Sequence, residues 1–306
     1  MLIPRDRPLR RDQITPHRDM LKRYPWGNLK EDRMTIGVGI LCQNAVVIAS
    51  DTQIGDSDLK TGQFKLASTS KFGIGGDRSD LVVAGASNNL RYLKHLQGKI
   101  VKMMHPRNQS ILAPRLEDLE KQVSDYLGAF YLDHVQPFST WPDKPDVSLL
   151  IGYSQGNVAK LWSSDKNVLT EHESFAAVGS GEMFALLLLN RLFYLMFPMD
   201  LKTAVLLAAY VVFQVKQHVY GCGKDTDIRC VGTDRPVFLT RKQTRALDTI
   251  FEEITKTESE LIGHILGSAR EPAPKQILRR AEKFRSRLSK VPIHFSKSIN
   301  SESSQT

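Results

Sequence analysis

Residues 35–51 read TIGVGILCQNAVVIASD, two short apolar runs rich in β-branched residues on either side of Gln43-Asn44. A two-residue polar break between such runs predicts a β-hairpin, with strands over Thr35–Cys42 and Ala45–Asp51. Upstream the texture is different. The first 33 residues scatter Pro4, Pro8, Pro16 and Pro25 among charges, with neither helical nor strand periodicity, and read as a flexible leader. Downstream, a polar stretch from Gly55 to Gly62 precedes two further strands, Ser70–Ile74 and Leu81–Ala86, about the turn Gly75-Gly76-Asp77.

Helical spacing then takes over. Leu90, Leu93, Leu96, Ile100 and Met103 share one face of Asn89–Met104, and Leu119, Val123, Leu127 and Phe130 share one face of Leu116–Leu132. A Pro-rich link leads to strands at Val147–Tyr153 and Val158–Trp162. Two long helices follow, Gly181–Phe197 and Asp200–His218, divided by Pro198 and with Asp200 as an N-cap. A last strand pair, Asp227–Gly232 and Pro236–Thr240, precedes a charged helix from Arg241 to Leu266 that Gly267 ends. Strands that pair as hairpins, with helices inserted two at a time, predict an α+β fold. Its architecture is a four-layer αββα sandwich, two antiparallel sheets flanked by helix pairs. The domain then spans 35–267, between a leader (1–34) and a basic, disordered tail (268–306).

The net charge of +9 belongs to the two ends. Residues 1–33 carry a surplus of four positive charges and residues 268–306 a surplus of six, leaving the middle at about −1. Nucleic acid is therefore not an expected partner of the domain. Three cysteines, Cys42, Cys222 and Cys230, are too few for a disulfide framework and have no zinc spacing, so no metal or other cofactor is expected. Met183–Phe197, the most apolar stretch, is interrupted by Asn190 and Arg191 and is too short for a membrane span. With no secretory signal either, a cytoplasmic protein is expected. The basic run from Arg279 to Lys290 reads as a solvated tail, and Gly73-Ile74-Gly75-Gly76 lacks the Lys-Ser/Thr of a phosphate loop.

Thr35 opens the first strand, Asp51 ends the second and Lys71 opens the third. Adjacent strand ends would bring a hydroxyl, a carboxylate and a lysine to one sheet edge, a usable nucleophilic set. Met34-Thr35-Ile36-Gly37-Val38-Gly39-Ile40, followed by Ala45-Val46-Val47-Ile48-Ala49-Ser50-Asp51, resembles the start of a mature proteasome β-type subunit. Lys71, the strand Val82-Val83-Ala84-Gly85-Ala86 and the turn Val178-Gly179-Ser180-Gly181 follow in that family's order, over about residues 35–240. The resemblance implies a bacterial proteasome-like threonine endopeptidase with the N-terminal nucleophile (Ntn) hydrolase fold.

In that mechanism, removal of residues 1–34 exposes Thr35, whose hydroxyl attacks a peptide carbonyl while its own α-amine takes the proton. The α-amine suits this role because its reference pKa, about 7.7–8.0, lies near working pH. The resemblance gives Lys71 the task of favouring the ionised hydroxyl, Asp51 that of holding Lys71, and Ser180 a hydrogen bond near the amine. The Gly85 backbone N–H would meet the oxyanion, with no side chain to obstruct the substrate. Ile54, Thr69, Gly73, Val83 and Ser87 would line a small, neutral specificity pocket. Partners implied are protein or peptide substrates, like subunits in a ring, and an ATPase or other gate. No membrane partner is implied.

Two features depart from the pattern. The family's Asp-x-x-Ser-Gly segment falls on His218-Val219-Tyr220-Gly221-Cys222-Gly223, without acid or serine, and the stretch between Asp51 and Lys71 is about four residues longer. Met34 stands where a propeptide would end in Gly, so residues 1–34 are either a propeptide or a segment upstream of a true start at Met34. Two further readings stay open: a non-catalytic structural subunit, and a self-processing Ntn amidohydrolase acting on small amides.

Overall fold

The computed structural model describes residues 35–54, 61–62, 67–72, 78–87, 89–104, 115–140, 146–196, 199–232, 237–265 and 274–291. The leader (1–34) and the turn at 73–77 lie outside these. The chain runs β1 (Gly37–Cys42), β2 (Ala45–Asp51), β3 (Gln53–Ile54), β4 (Thr61–Gly62), β5 (Ala67–Phe72), β6 (Arg78–Ser87), α1 (Leu90–Met103) and α2 (Leu116–Phe130). It continues through β7 (Val147–Gln155), β8 (Val158–Asp165), β9 (Val168–His172), β10 (Phe175–Val178), α3 (Glu182–Leu192) and α4 (Leu201–His218). β11 (Thr226–Val231), β12 (Val237–Phe238), α5 (Arg241–Ile265) and α6 (Pro274–Lys290) complete it.

Two five-stranded sheets, wholly antiparallel, form the middle of the molecule. One has the order β10-β1-β2-β11-β12 and the other β5-β6-β7-β8-β9, while β3 and β4 pair separately. The period-2 geometry of strands sorts their side chains into three layers. Val46, Ile48, Val82, Ala84, Leu150 and Val178 fill the space between the sheets. Val47, Ala49 and Ile228, on the opposite face of the first sheet, pack on α3, α4 and α5. Leu81, Val83, Leu149 and Ile151 pack on α1 and α2. This is the αββα sandwich, and it explains why β2 reads as a continuous apolar run. All seven of its residues are buried, because the strand is covered on both faces.

The helices follow their sequence signals. Asn89 caps α1 by accepting from Arg91 N, and Asp200 caps α4 by accepting from Thr203 N. α4 is buried nearly all round, which suits its scarcity of charge. Three expectations are corrected. β9 and β10 were not anticipated: β9 is an edge strand whose residues are mostly exposed and polar, and β10 has only four residues. The third strand begins at Ala67 rather than Ser70, extending back through a Ser/Thr-rich stretch. Part of the expected tail is ordered: Pro274–Lys290 is α6, which begins on Pro at a position where its missing N–H costs nothing. Phe284 and Val291 bury themselves in the α4–α5 core, Arg287 and Arg280 pair with Glu253 and Glu260 of α5, and Lys202 Nζ donates to Ser289 O at 3.0 Å.

Candidate active site

Thr35 precedes β1 at one end of the inter-sheet layer and is 5% exposed. Its hydroxyl donates to Asp51 Oδ1 at 2.7 Å. Asp51 ends the neighbouring strand and is fully buried, and the β1–β2 register sets it opposite Ile36. The same Oδ1 accepts from Ile36 N at 3.1 Å, while Oδ2 accepts from Gly223 N at 3.1 Å. Backbone donors on both oxygens fix the carboxylate in orientation.

From the other side, the turn between β10 and α3 clasps the Thr35 backbone. Thr35 N donates to Ser180 Oγ at 3.0 Å, and Ser180 Oγ donates to Thr35 O at 3.2 Å. Here Thr35 N is a peptide nitrogen, and it occupies the place that the α-amine would take after cleavage before Thr35. Gly181 N also donates to Thr35 O, at 3.4 Å. Gly179 makes this clasp possible. Its φ of +103° disfavours any L side chain, and a Cβ there would lie 2.4 Å from Thr35 O.

The remaining residues expected at the site fall as follows. Gly85 lies on β6 beside Ala86, whose Cβ is near the Thr35–Gly179 contact. The room left by its missing side chain is already filled: a Cβ would meet Leu93 Cδ1 at 2.3 Å and Leu149 Cδ2 at 2.8 Å. Glycine here answers to the packing of α1 on the sheet, so the reason given from sequence, open access for substrate, is corrected. Val83 is fully buried in the α1–α2 layer. Ser87 Oγ accepts from Asn89 N at 2.9 Å and so shapes the entry to α1.

Lys71 is not brought to Thr35. The expectation that three adjacent strand ends meet is corrected, because β5 belongs to the facing sheet and its register opposes Lys71 to Ser79. Ser79 is six residues before Gly85 on β6, about 20 Å of strand from the Thr35 end. Thr69 faces Leu81 and Ile54 pairs with Thr61 in the β3–β4 ladder. Gly73 lies outside the described residues.

The resemblance aligned His218–Gly223 with a segment of the site, but sequence reasoning missed what this chain supplies there, a backbone donor. Gly223 N–H reaches Asp51, and Thr52 N donates to Asp225 O at 2.9 Å. Two glycines flanking Cys222 were the available signal for a backbone donor in a tight turn. Arg245 grips the Asp225 carboxylate with Nε at 2.6 Å and Nη2 at 3.0 Å, which holds that carboxyl below the usual range. Cys222 is buried, and burial pushes the Cys42 thiol up to about 12, so that thiol is not a nucleophile at neutral pH. Among the described residues, no three His, Cys, Asp or Glu side chains cluster as a metal site requires, and no helix is long and apolar enough to cross a membrane.

No protein-family model matches the sequence, and no curated protein matches it. Solved structures do share the fold. Anbu from Pseudomonas aeruginosa, recorded in a helical assembly, superimposes with a TM-score of 0.58 at 18% identity, covering 79% of this chain and 99% of that one. Anbu (ancestral beta-subunit) from Yersinia bercovieri gives 0.58 at 14% identity, over 78% of this chain and 100% of that one. A Gly-1 mutant of Anbu from Hyphomicrobium sp. strain MC1 gives 0.58 at 15%, over 78% and 99%. The reading of the chain as a proteasome β-type subunit is thereby corrected. The neighbours named above are Anbu, a related proteasome-like family with a different assembly, and at 14–18% identity they show the fold. They support the Ntn-type αββα sandwich.

Proposed function

We propose that this chain is a threonine-type endopeptidase of an Anbu-like assembly, acting through Thr35 once the peptide bond before it has been cut. The observation that carries the reading is the pair of contacts on one residue: the Thr35 hydroxyl on a buried carboxylate, and the Thr35 nitrogen on Ser180 Oγ. A structural threonine needs no fully buried acid aimed at its hydroxyl and no clasp on its nitrogen. In the mature chain the Thr35 α-amine accepts the hydroxyl proton as Oγ1 attacks the substrate carbonyl. Collapse of the tetrahedral intermediate expels the amine product, which takes that proton back from the Thr35 ammonium, and water then hydrolyses the acyl ester. Asp51 orients the hydroxyl, Ser180 orients the amine, and the Gly85 N–H is assigned to the oxyanion.

Assembly of like subunits is supported by an apolar stripe on and just after α3, where Met183, Leu187, Tyr194 and Leu195 are each at least 65% exposed. A cytoplasmic location belongs to the same proposal. The test is intact mass of purified protein with and without a peptide epoxyketone, which engages both the Thr hydroxyl and amine. A chain beginning at Thr35 that gains one adduct on that residue is expected. Assembled protein that retains residues 1–34, or forms no adduct on Thr35, refutes the reading.

A further inference from the structure

Asp51 is held by Gly223, and Gly223 lies in a segment with little regular structure of its own. Gly221 has φ +85° and Lys224, which carries a side chain, has φ +65°. A non-glycine residue in the left-handed region persists only where its surroundings impose it. The surroundings here are specific. Lys216, in the last turn of α4, sends its Nζ under this segment with its side chain only 7% exposed. It donates to Lys224 O at 3.2 Å, to Thr226 Oγ1 at 2.9 Å and to Asp248 Oδ2 of α5 at 2.7 Å.

Those three bonds use the full donor capacity of an ammonium group. Two go to Lys224, next after Gly223, and Thr226, the first residue of β11, and the third to a helix packed behind them. Thr226 is also the β11 partner of Asp51 across the β2–β11 ladder. Arg245, three residues before Asp248 on α5, grips Asp225 as well, so α4 and α5 hold 224–226 from two sides.

We infer that Lys216 and Asp248 are positioning residues that clamp the segment 223–226, so that the Gly223 N–H is presented to Asp51. The clamp takes the place of the acid and serine that the sequence lacks between His218 and Gly223. It rests on the proposed function, since it acts on Thr35 through Asp51. Burial pushes the Asp248 carboxyl up while Lys216, itself buried, draws it down across their 2.7 Å contact.

The experiment uses the full chain, as purified, with two readouts. Hydrogen–deuterium exchange of peptides covering 219–226 reports the clamp without any need for activity. The rate of Thr35 modification by a peptide epoxyketone, measured across a range of inhibitor concentrations and pH 5.5–9, reports its effect on the nucleophile. Lys216→Met and Asp248→Asn are expected to speed exchange at least tenfold in that segment, with the body of α4 unchanged. Both should slow the maximal modification rate at least tenfold, leave half-saturation within twofold and shift the pH profile. Lys216→Arg, which keeps charge and donors, should recover most of the rate. Unchanged exchange in either charge-removing variant overturns the clamp, and faster exchange with an unchanged modification rate overturns its role in positioning. Should Lys216→Met fail to fold, Asp248→Asn and Lys216→Arg carry the comparison. A wild-type protein that is never modified refutes the proposed function, and with it the positioning role, whatever the exchange shows.

Discussion

Replacing Asp51 by Asn removes one acceptor from a site that supplies donors to both carboxylate oxygens. In the better orientation, the amide oxygen keeps Thr35 Oγ1 and Ile36 N, and the new NH2 faces Gly223 N–H across the 3.1 Å once spanned by a hydrogen bond. That leaves a part-buried N–H without its acceptor, at about 1–3 kcal/mol, and turns two charge-assisted bonds into neutral ones, at about 1 kcal/mol in all. The opposite orientation is worse, because Ile36 N–H cannot rotate away from the amide. Relief from burying a charge offsets part of the loss, but the carboxylate is already met by fixed donors, so the balance stays unfavourable. A net loss of about 2 kcal/mol is expected, or roughly 4–8 °C in Tm for a domain of this size. Thermal unfolding followed by circular dichroism at pH 7 measures it. A Tm within about 1 °C of wild type would show that these contacts do not hold the Thr35 hydroxyl as described.

Because β5 sets Lys71 opposite Ser79, Lys71→Ala should slow Thr35 modification by an epoxyketone less than threefold, and a loss of 100-fold or more would restore Lys71 to the site. Gly85→Ala should destabilise by about 1–3 kcal/mol in urea titration, since its Cβ meets Leu93 Cδ1 at 2.3 Å, and adding Leu93→Ala should cost less than the sum of the two single changes. Asp227 is buried, burial raises its carboxyl against the pull of Arg229 and Arg241, and among the described residues Oδ2 has no hydrogen-bond partner, only Arg229 Nη2 at 3.6 Å. A raised folded-state value means that the ionised form costs stability above that value and that the cost disappears as pH falls through it toward the unfolded value of about 3.9. Asp227→Asn should therefore have a higher Tm than wild type at pH 7, and the gap should close on acidification; a gap independent of pH contradicts this. Phe284→Ala should cost about 3 kcal/mol in the same titration if α6 belongs to the core, while a change below 0.5 kcal/mol would return it to the tail.

Much of the sandwich is visible in the sequence because its central strands are covered on both faces, which leaves runs such as Ala45–Asp51 almost wholly apolar. Thr35, Asp51 and Ser180 were singled out by the family resemblance rather than by spacing alone, and the structure brings the three together. Lys71 was misplaced for a physical reason: β5 extends back through Ala-Ser-Thr-Ser, residues with no hydrophobic periodicity, so neither its start nor its register shows. β9 was hidden in the same way by Thr170 and Glu171 on an edge. α6 carries Ile277, Ala281, Phe284 and Leu288 at helical spacing, but seven Lys and Arg over 274–290 mask that stripe. The clamp on Gly223 was beyond reach, since Lys216, Lys224 and Asp248 meet only after α4, β11 and α5 have packed.

The span of chain that closes around Thr35 has a consequence for the order of folding. Ser180 lies 145 residues from Thr35, and Gly223 lies 172 residues from Asp51. β1, near the start of the domain, must wait for β10 on one side, and β2 must wait for β11 on the other. Contacts of such long range form late, because loop closure must precede the energy they return. On a ribosome, the nucleophile would stay unorganised until nearly the whole domain had emerged. The topology thus acts as a timer, keeping a proposed peptidase without a working hydroxyl while its own unfolded chain is the nearest substrate.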